Sequence, residues 1–150
     1  MSGFPIQLAK VQPPPLREDI LSRDRLNNWL EANARRRVVL VVAEAGYGKT
    51  TLLADWSART PRRTLWYRLD SDDRDWLTLL NHLVGSARQL DPSFGEESEE
   101  LIGSLGPGGP TRAAIVTALV RELSELSEGG ATLIFDDFQA VDESEDVVSI

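Results

Sequence analysis

A chain of 150 residues has room for one domain that buries roughly two thirds of its unfolded surface, and its lack of cysteine excludes disulfides and thiolate metal sites. The net charge of −8 is unevenly spread: residues 1–75 hold 13 Lys+Arg against 10 Asp+Glu, and residues 76–150 hold 3 against 14. So acidic a chain lacks the dense basic face that neutralises phosphates, and direct contact with nucleic acid is not expected.

Residues 1–17 read as an extended lead-in, because Pro13, Pro14 and Pro15 fix φ and remove three backbone donors. Neither a basic n-region nor an apolar h-region stands there. The longest strongly apolar run, Val38 to Ala43, is far short of a membrane span, so a cytoplasmic protein with no membrane partner is expected. A short helix is predicted after Ser22 as N-cap, with Leu26, Trp29 and Leu30 on its apolar face. Arg35, Arg36 and Arg37 suit the negative end of its dipole. The unbroken run Val38, Val39, Leu40, Val41, Val42 predicts a strand buried on both faces, as in parallel sheets.

Ala43 to Gly48 is a turn, and Lys49 to about Arg59 a helix that buries Leu52, Leu53 and Trp56 and stops before Pro61. Thr64 to Leu69 reads as a second strand. Ser71 or Asp72 is expected to cap a helix running to about Leu90, on which Trp76, Leu80, Leu83, Val84, Ala87 and Leu90 recur at helical spacing. Asp91 to Pro110 is a long polar connection with carboxylates at Glu96, Glu97, Glu99 and Glu100, unusual enough in length that part of it is expected to be helical or mobile. From Thr111 a further helix carries Ile115, Val116, Leu119, Val120, Leu123 and Leu126 on one face, and Gly129 and Gly130 stop it. Ala131 to Phe135 is a third strand, ending in Asp136 and Asp137. This alternation predicts an α/β fold: a parallel sheet flanked by helices.

The turn carries the chemistry. Ala43-Glu44-Ala45-Gly46-Tyr47-Gly48-Lys49-Thr50 fits the phosphate-loop pattern G-x-x-x-x-G-K-[ST], with Ala43 in place of the first glycine. Gly46 and Gly48 let the backbone bend so that the N–H groups of Ala45 to Thr51 converge on phosphate oxygens at a helix N-terminus. Lys49 would set a positive charge at the β- and γ-phosphates, and the Thr50 hydroxyl would be a magnesium ligand. In Leu133-Ile134-Phe135-Asp136-Asp137-Phe138 an apolar strand ends in an acidic pair. There Asp136 would hold magnesium through water, and Asp137 would orient or deprotonate the attacking water. The bland reading of such a pair is a turn or helix cap. His82 on a helix reads as a surface or packing residue and the four tryptophans as packing residues, and Tyr47 is as well suited to solvent as to contact with nucleotide or a partner domain.

The combination resembles a known family. AEAGYGKTTLLADW is similar to the phosphate loop of the STAND signal-transduction ATPases, and most of all to the large ATP-binding LuxR-type transcriptional regulators of the maltose-regulon activator group. PPPLREDILSRDRL, WYRLDSDDRDWLTLLNHLV and LIFDDFQAVDE extend the resemblance over about residues 11–146. It implies an Mg-ATP regulatory switch with slow hydrolysis, self-association or contact with other domains of a longer regulator, and Ile20, Leu21 and Arg23 beside the nucleotide. It also implies that residues 18–150 are the N-terminal part of a P-loop ATPase domain, incomplete at its C-terminus. In that fold the strand after the acidic pair inserts between the phosphate-loop strand and the Asp136 strand, and the DNA-binding helix-turn-helix lies far downstream. The competing expectations are an ordinary P-loop ATPase or phosphotransferase with steady turnover, and a non-catalytic remnant.

Overall fold

Two strands, β1 (Arg63–Arg68) and β2 (Ala131–Asp136), lie parallel, with Leu65 opposite Leu133 and Arg68 opposite Asp136. The computed structural model describes residues 7–128 and 130–148. Parallel neighbours need a long crossover. Here it runs through α3 (Trp76–Ala87), α4 (Glu96–Gly103) and α5 (Arg112–Glu128), while α1 (Asp24–Asn33) and α2 (Lys49–Arg59) precede the sheet.

The strands alternate in the way a sheet between two layers requires. Leu65 and Tyr67 face a core shared with Leu80, Leu83, Ile115, Leu119 and Val141. Trp66 and Ile134 face the opposite way, into a second cluster with Leu30, Leu52 and Trp56 from α1 and α2. Each such fully buried aliphatic side chain contributes roughly 1.5–3 kcal/mol relative to exposure. The result is an α/β fold with helices on both faces of a parallel sheet.

The predicted helix over 49–59 forms with those bounds, and the strand ahead of the acidic pair runs one residue further, to Asp136. The connection from Asp91 contains α4, whose first turn holds Glu96, Glu97 and Glu99 at the positive end of the helix dipole. Glu99 also takes a two-pronged ion pair from Arg88, at 2.9 and 2.7 Å.

Several expectations need correction. Residues 38–42 form no strand: Val39 and Val41 pack against the α1–α2 cluster, but Val38, Leu40 and Val42 are 79%, 75% and 80% exposed. A β-branched run becomes a strand only when a neighbour accepts its ladder, and no described segment pairs with it. Helix α3 starts at Trp76 and ends at Ala87. Ser71 and Asp72 lie instead in a separate 3-10 turn, Ser71–Arg74, capped by Asp70, and Asp75, extended at ψ 121°, caps α3 through Thr78 N at 2.8 Å. Ser22 is not the N-cap of α1, which begins one residue later behind Arg23; its hydroxyl donates to Asp24 and Asp55. Trp29 and Val120, assigned to apolar faces, are about half exposed, at 51% and 55%, where the stripes reach solvent. The stop assigned to Gly129 lies outside the described residues, whereas Gly130 takes the left-handed φ of 81° that suits a helix exit.

The lead-in is not wholly extended either. Leu8–Lys10 is a 3-10 turn, and Lys10 and Val11 are buried against the body of the fold, where Gln89 donates to Val11 O at 2.9 Å.

Candidate nucleotide-binding site

The loop before α2 is built around two left-handed glycines, Gly46 at φ 83° and Gly48 at φ 77°. An L side chain at either would be strained, and at Gly48 a Cβ would also stand 3.3 Å from Arg23 Nη2. Gly48 is the residue on which α2 opens, so the free N–H groups of Lys49, Thr50 and Thr51 lie in the helix's first turn, where backbone donors and dipole both favour an anion. The Lys49 ammonium donates to Ala43 O at 2.6 Å and Glu44 O at 3.0 Å. An ammonium has three donors, so the loop holds this charge in place and leaves one N–H for a ligand.

Arg23 is exposed and reaches across the outside of the loop, donating from Nη1 to Tyr47 O at 2.9 Å. Ala45, Gly46, Tyr47 and Thr51 are all exposed to solvent, and Tyr47 is 60% so. Of the two apolar residues in the lead-in to α1, Ile20 is half-buried and Leu21 is fully in solvent.

Register then brings the acidic strand end to the loop. The Thr50 hydroxyl donates to Asp136, 2.9 Å from Oδ1 and 3.0 Å from Oδ2, across 86 positions of sequence. Asp136 is 4% exposed. Burial pushes its carboxyl above the ordinary value and the Asp137 charge adds to that, against the opposing pull of the Thr50 hydroxyl and Arg68. A hydroxyl and a poorly compensated carboxylate, both hard oxygen donors, suit Mg²⁺, which takes one or two protein ligands and fills its shell with water and phosphate oxygens. The described residues hold no cluster of three His, Cys, Asp or Glu side chains that could bind a metal without such help.

Asp137 points elsewhere. It adopts a left-handed backbone, φ 58° and ψ 37°, the sole non-glycine among the described residues to do so, and Asp tolerates that conformation better than most. Its Oδ2 pairs with Arg68 Nε at 3.0 Å and its Oδ1 accepts from Gln139 Nε2 at 3.1 Å. Asp137 and Arg68 border a cleft of about 580 Å³ at the carboxyl edge of β1 and β2, together with Lys10, Asp70 and Gln139. Neither Arg68 nor Lys10 stood out in the sequence. The signal for Arg68 was its place at the end of a strand whose neighbour ends in the acidic pair.

A parallel α/β sheet, a glycine loop opening a helix and a threonine bonded to the carboxylate at the next strand's end define a P-loop nucleotide-binding fold. The chain belongs to the AAA ATPase domain family, whose profile matches residues 14–148. Serine/threonine-protein kinase PknK of Mycobacterium tuberculosis is 29% identical over 143 residues, 93% of this chain and 13% of the kinase. HTH-type transcriptional regulator MalT of Yersinia pestis is 30% identical over 133 residues, 89% of this chain and 14% of the regulator. The resemblance to the large LuxR-type regulators thus holds over most of the chain, which spans about an eighth to a seventh of these relatives. No described helix is long and apolar enough to cross a membrane.

Proposed function

We propose that this chain binds ATP with magnesium and acts as the nucleotide switch of a longer cytoplasmic signal-transduction regulator, with slow hydrolysis resetting it. The observation that carries this reading is the contact between the Thr50 hydroxyl and the Asp136 carboxylate. It joins the glycine loop to the acidic end of β2 across 86 positions of sequence.

In this reading the N–H groups of residues 45–51 and the Lys49 ammonium hold the β- and γ-phosphates, and Arg23 closes over the outer side of the loop. Thr50 and Asp136 hold Mg²⁺, which when bound neutralises charge that builds on the phosphate oxygens. Asp137 orients a water whose oxygen bonds to the γ-phosphorus as the bond from that phosphorus to the ADP oxygen breaks. The water's proton leaves with phosphate or to the carboxylate, and the products are ADP and inorganic phosphate. ATP and ADP would favour different conformations, which is what lets a nucleotide bias contacts with a second copy or with other domains.

Calorimetry with ATP and ADP, with and without magnesium, tests the reading on the protein and its Lys49→Ala variant. Micromolar binding is expected, weakened by about 10–100-fold in the variant, the loss expected for one charge-assisted bond of roughly 1.5–3 kcal/mol. A folded protein that binds neither nucleotide would sink it.

A further inference from the structure

The cleft at the carboxyl edge of β1 and β2 has a volume of about 580 Å³. Small-molecule sites run from roughly 300 to 1,000 Å³, and the outer ends of parallel strands are where α/β sheets commonly hold them. The cleft's walls come from the lead-in, the end of β1 and the turn after β2, and no residue of the phosphate loop lines it. It is therefore a separate place from the glycine loop.

The extended chain that leaves β1 arranges its charged groups. Leu69 N donates to Asp136 O at 2.9 Å and Asp70 is extended at φ −141°, so strand alternation continues past Arg68. Leu69 is buried, at 2%, and the side chains on either side of it, Arg68 and Asp70, are 58% and 49% exposed. Two positions along an extended chain span roughly 6.5 Å. A guanidinium and a carboxylate thus border the cleft side by side, each anchored by one edge only. Arg68 Nε donates to Asp137 Oδ2 at 3.0 Å, and neither Nη group has a hydrogen-bond partner among the described residues. Asp70 Oδ1 takes the Lys10 ammonium at 2.7 Å and the N–H of Asp72 at 2.9 Å, and its Oδ2 has no such partner among them. Burial opposes ionisation of Asp70, but the bonds from Lys10 and Asp72 hold its carboxyl below the ordinary 3.8, so it is an anion at neutral pH.

The charges select the ligand. Lys10, Arg68, Asp70 and Asp137 set two cations and two carboxylates around the cleft. A simple anion meets both carboxylates there, and a simple cation meets the guanidinium. No aromatic ring lines the cleft to stack on a base or a sugar face. A molecule with an acid and an ammonium close together finds an opposite charge for each, and the planar Nη pair matches a carboxylate with two parallel bonds. Ala9 and Ala140 leave apolar wall for a short side chain. We propose that this cleft binds a free α-amino acid, its carboxylate on the Arg68 Nη groups and its ammonium on Asp70 Oδ2. Bound there, the ligand ties the lead-in to the turn that follows Asp137. The site is independent of the nucleotide reading and stands whether or not that reading does.

The test is thermal shift of the purified protein with each standard L-amino acid at about 10 mM, followed by calorimetry on those that stabilise it. At least one is expected to bind and to raise Tm by about 5–10 °C at roughly 100 times its Kd. Its α-amide and its N-acetyl derivative, each lacking one charge, should bind about 10–100-fold more weakly, the loss expected for one charge-assisted bond. Arg68→Gln should remove the preference for the acid over the amide, and Asp70→Asn the preference for the amine over the N-acetyl form. Lys49→Ala should bind the amino acid as the parent does, and loss of binding there would move the ligand to the phosphate loop and overturn the assignment. Should Arg68→Gln or Asp70→Asn fail to fold, the two blocked ligands still decide on the parent protein. Absence of any stabilising amino acid would overturn the proposal, as would one whose affinity both cleft variants leave unchanged. An N-acetyl derivative that binds as tightly as the free amino acid would make this an anion site on Arg68, and would overturn it as well.

Discussion

Lys10 and Asp73, 63 positions apart, form a buried ion pair at 2.9 Å. Asp73 is wholly buried and also accepts from the Tyr67 hydroxyl at 2.6 Å and from Asp70 N at 2.8 Å, while Asp70 takes the Lys10 ammonium at 2.7 Å. Burial pulls the Lys10 pKa down, but its bonds to Asp70 and Asp73 outweigh that and hold it above the ordinary value. The lead-in is therefore part of the fold. Lys10→Met leaves the Asp73 carboxylate buried without its cation, which typically costs about 3–5 kcal/mol. Urea unfolding should show that loss, and Lys10→Met/Asp73→Asn should recover part of it. Equal stability of Lys10→Met and parent would show that the contact contributes nothing.

Asp55 predicts how stability depends on pH. Burial opposes its ionisation, yet bonds from Asn27 at 2.7 Å, Arg59 at 2.7 Å and Ser22 at 3.2 Å prevail and hold the carboxyl below its ordinary 3.8. Glu31 is likewise lowered from 4.5, chiefly by the Thr60 hydroxyl at 2.6 Å. A depressed carboxyl stabilises the fold fully above its unfolded value and loses that contribution as pH falls through the folded one. Stability should therefore decline below about pH 4.5, and less steeply in Asp55→Asn. At pH 7, Asp55→Ala is expected to cost about 2–3 kcal/mol, because it strands the buried Asn27 amide, whose Oδ1 already lacks a partner. Denaturation at pH 7, 5 and 3.5 checks both, and identical pH slopes in parent and Asp55→Asn would contradict the assignment.

What could be read from the sequence was local. Leu52 and Trp56 at helical spacing, two glycines and Lys49 determine α2 and its loop from within about fifteen residues, and the structure follows them. The apolar run ahead of Asp136 and the stripe on α5 are equally self-contained. What could not be read depends on a distant partner. Residues 38–42 have the composition of a strand, but pairing is decided by a neighbour, not by β-branching. The burial of Lys10 depends on a carboxylate 63 positions away, and the ion pair of Arg68 on the register of another strand. The break between Asp72 and Trp76 was missed for a different reason: four acidic residues within six positions offer several caps, and only backbone angles choose Asp70 and Asp75.

Exposure of Val38, Leu40 and Val42 beside inward-facing Val39 and Val41 gives a third test. None of the amides of residues 38–42 donates a backbone hydrogen bond among the described residues. Hydrogen exchange there should be fast, close to that of the exposed loop, while the centres of β1 and β2 are protected. Leu40→Lys should change stability by less than about 0.5 kcal/mol, as expected of a surface position. Protected amides over 38–42, or a costly Leu40→Lys, would mean that another segment or a second copy covers this face in solution.

The hydroxyl of Thr50 and the carboxylate of Asp136 offer the sharpest separation of a binding role from a packing role. If the contact only joins α2 to β2, Thr50→Val loses one hydrogen bond to a charged group, roughly 1.5–3 kcal/mol of stability, and leaves the magnesium dependence of ATP affinity intact. If the two side chains share a cation, magnesium should strengthen ATP binding in the parent far more than in either variant. Thr50→Val and Asp136→Asn should then each flatten that dependence, and the double variant should lose little more than either alone, since groups in one ligand set do not act additively. Asp136→Asn should also stabilise the nucleotide-free fold, by about 0.5–2 kcal/mol, because it removes a charge that burial disfavours and keeps an acceptor for the Thr50 hydroxyl. A variant that folds better and binds Mg-ATP worse is the signature of a functional carboxylate, and one that folds worse with its magnesium response unchanged would assign Asp136 to the core.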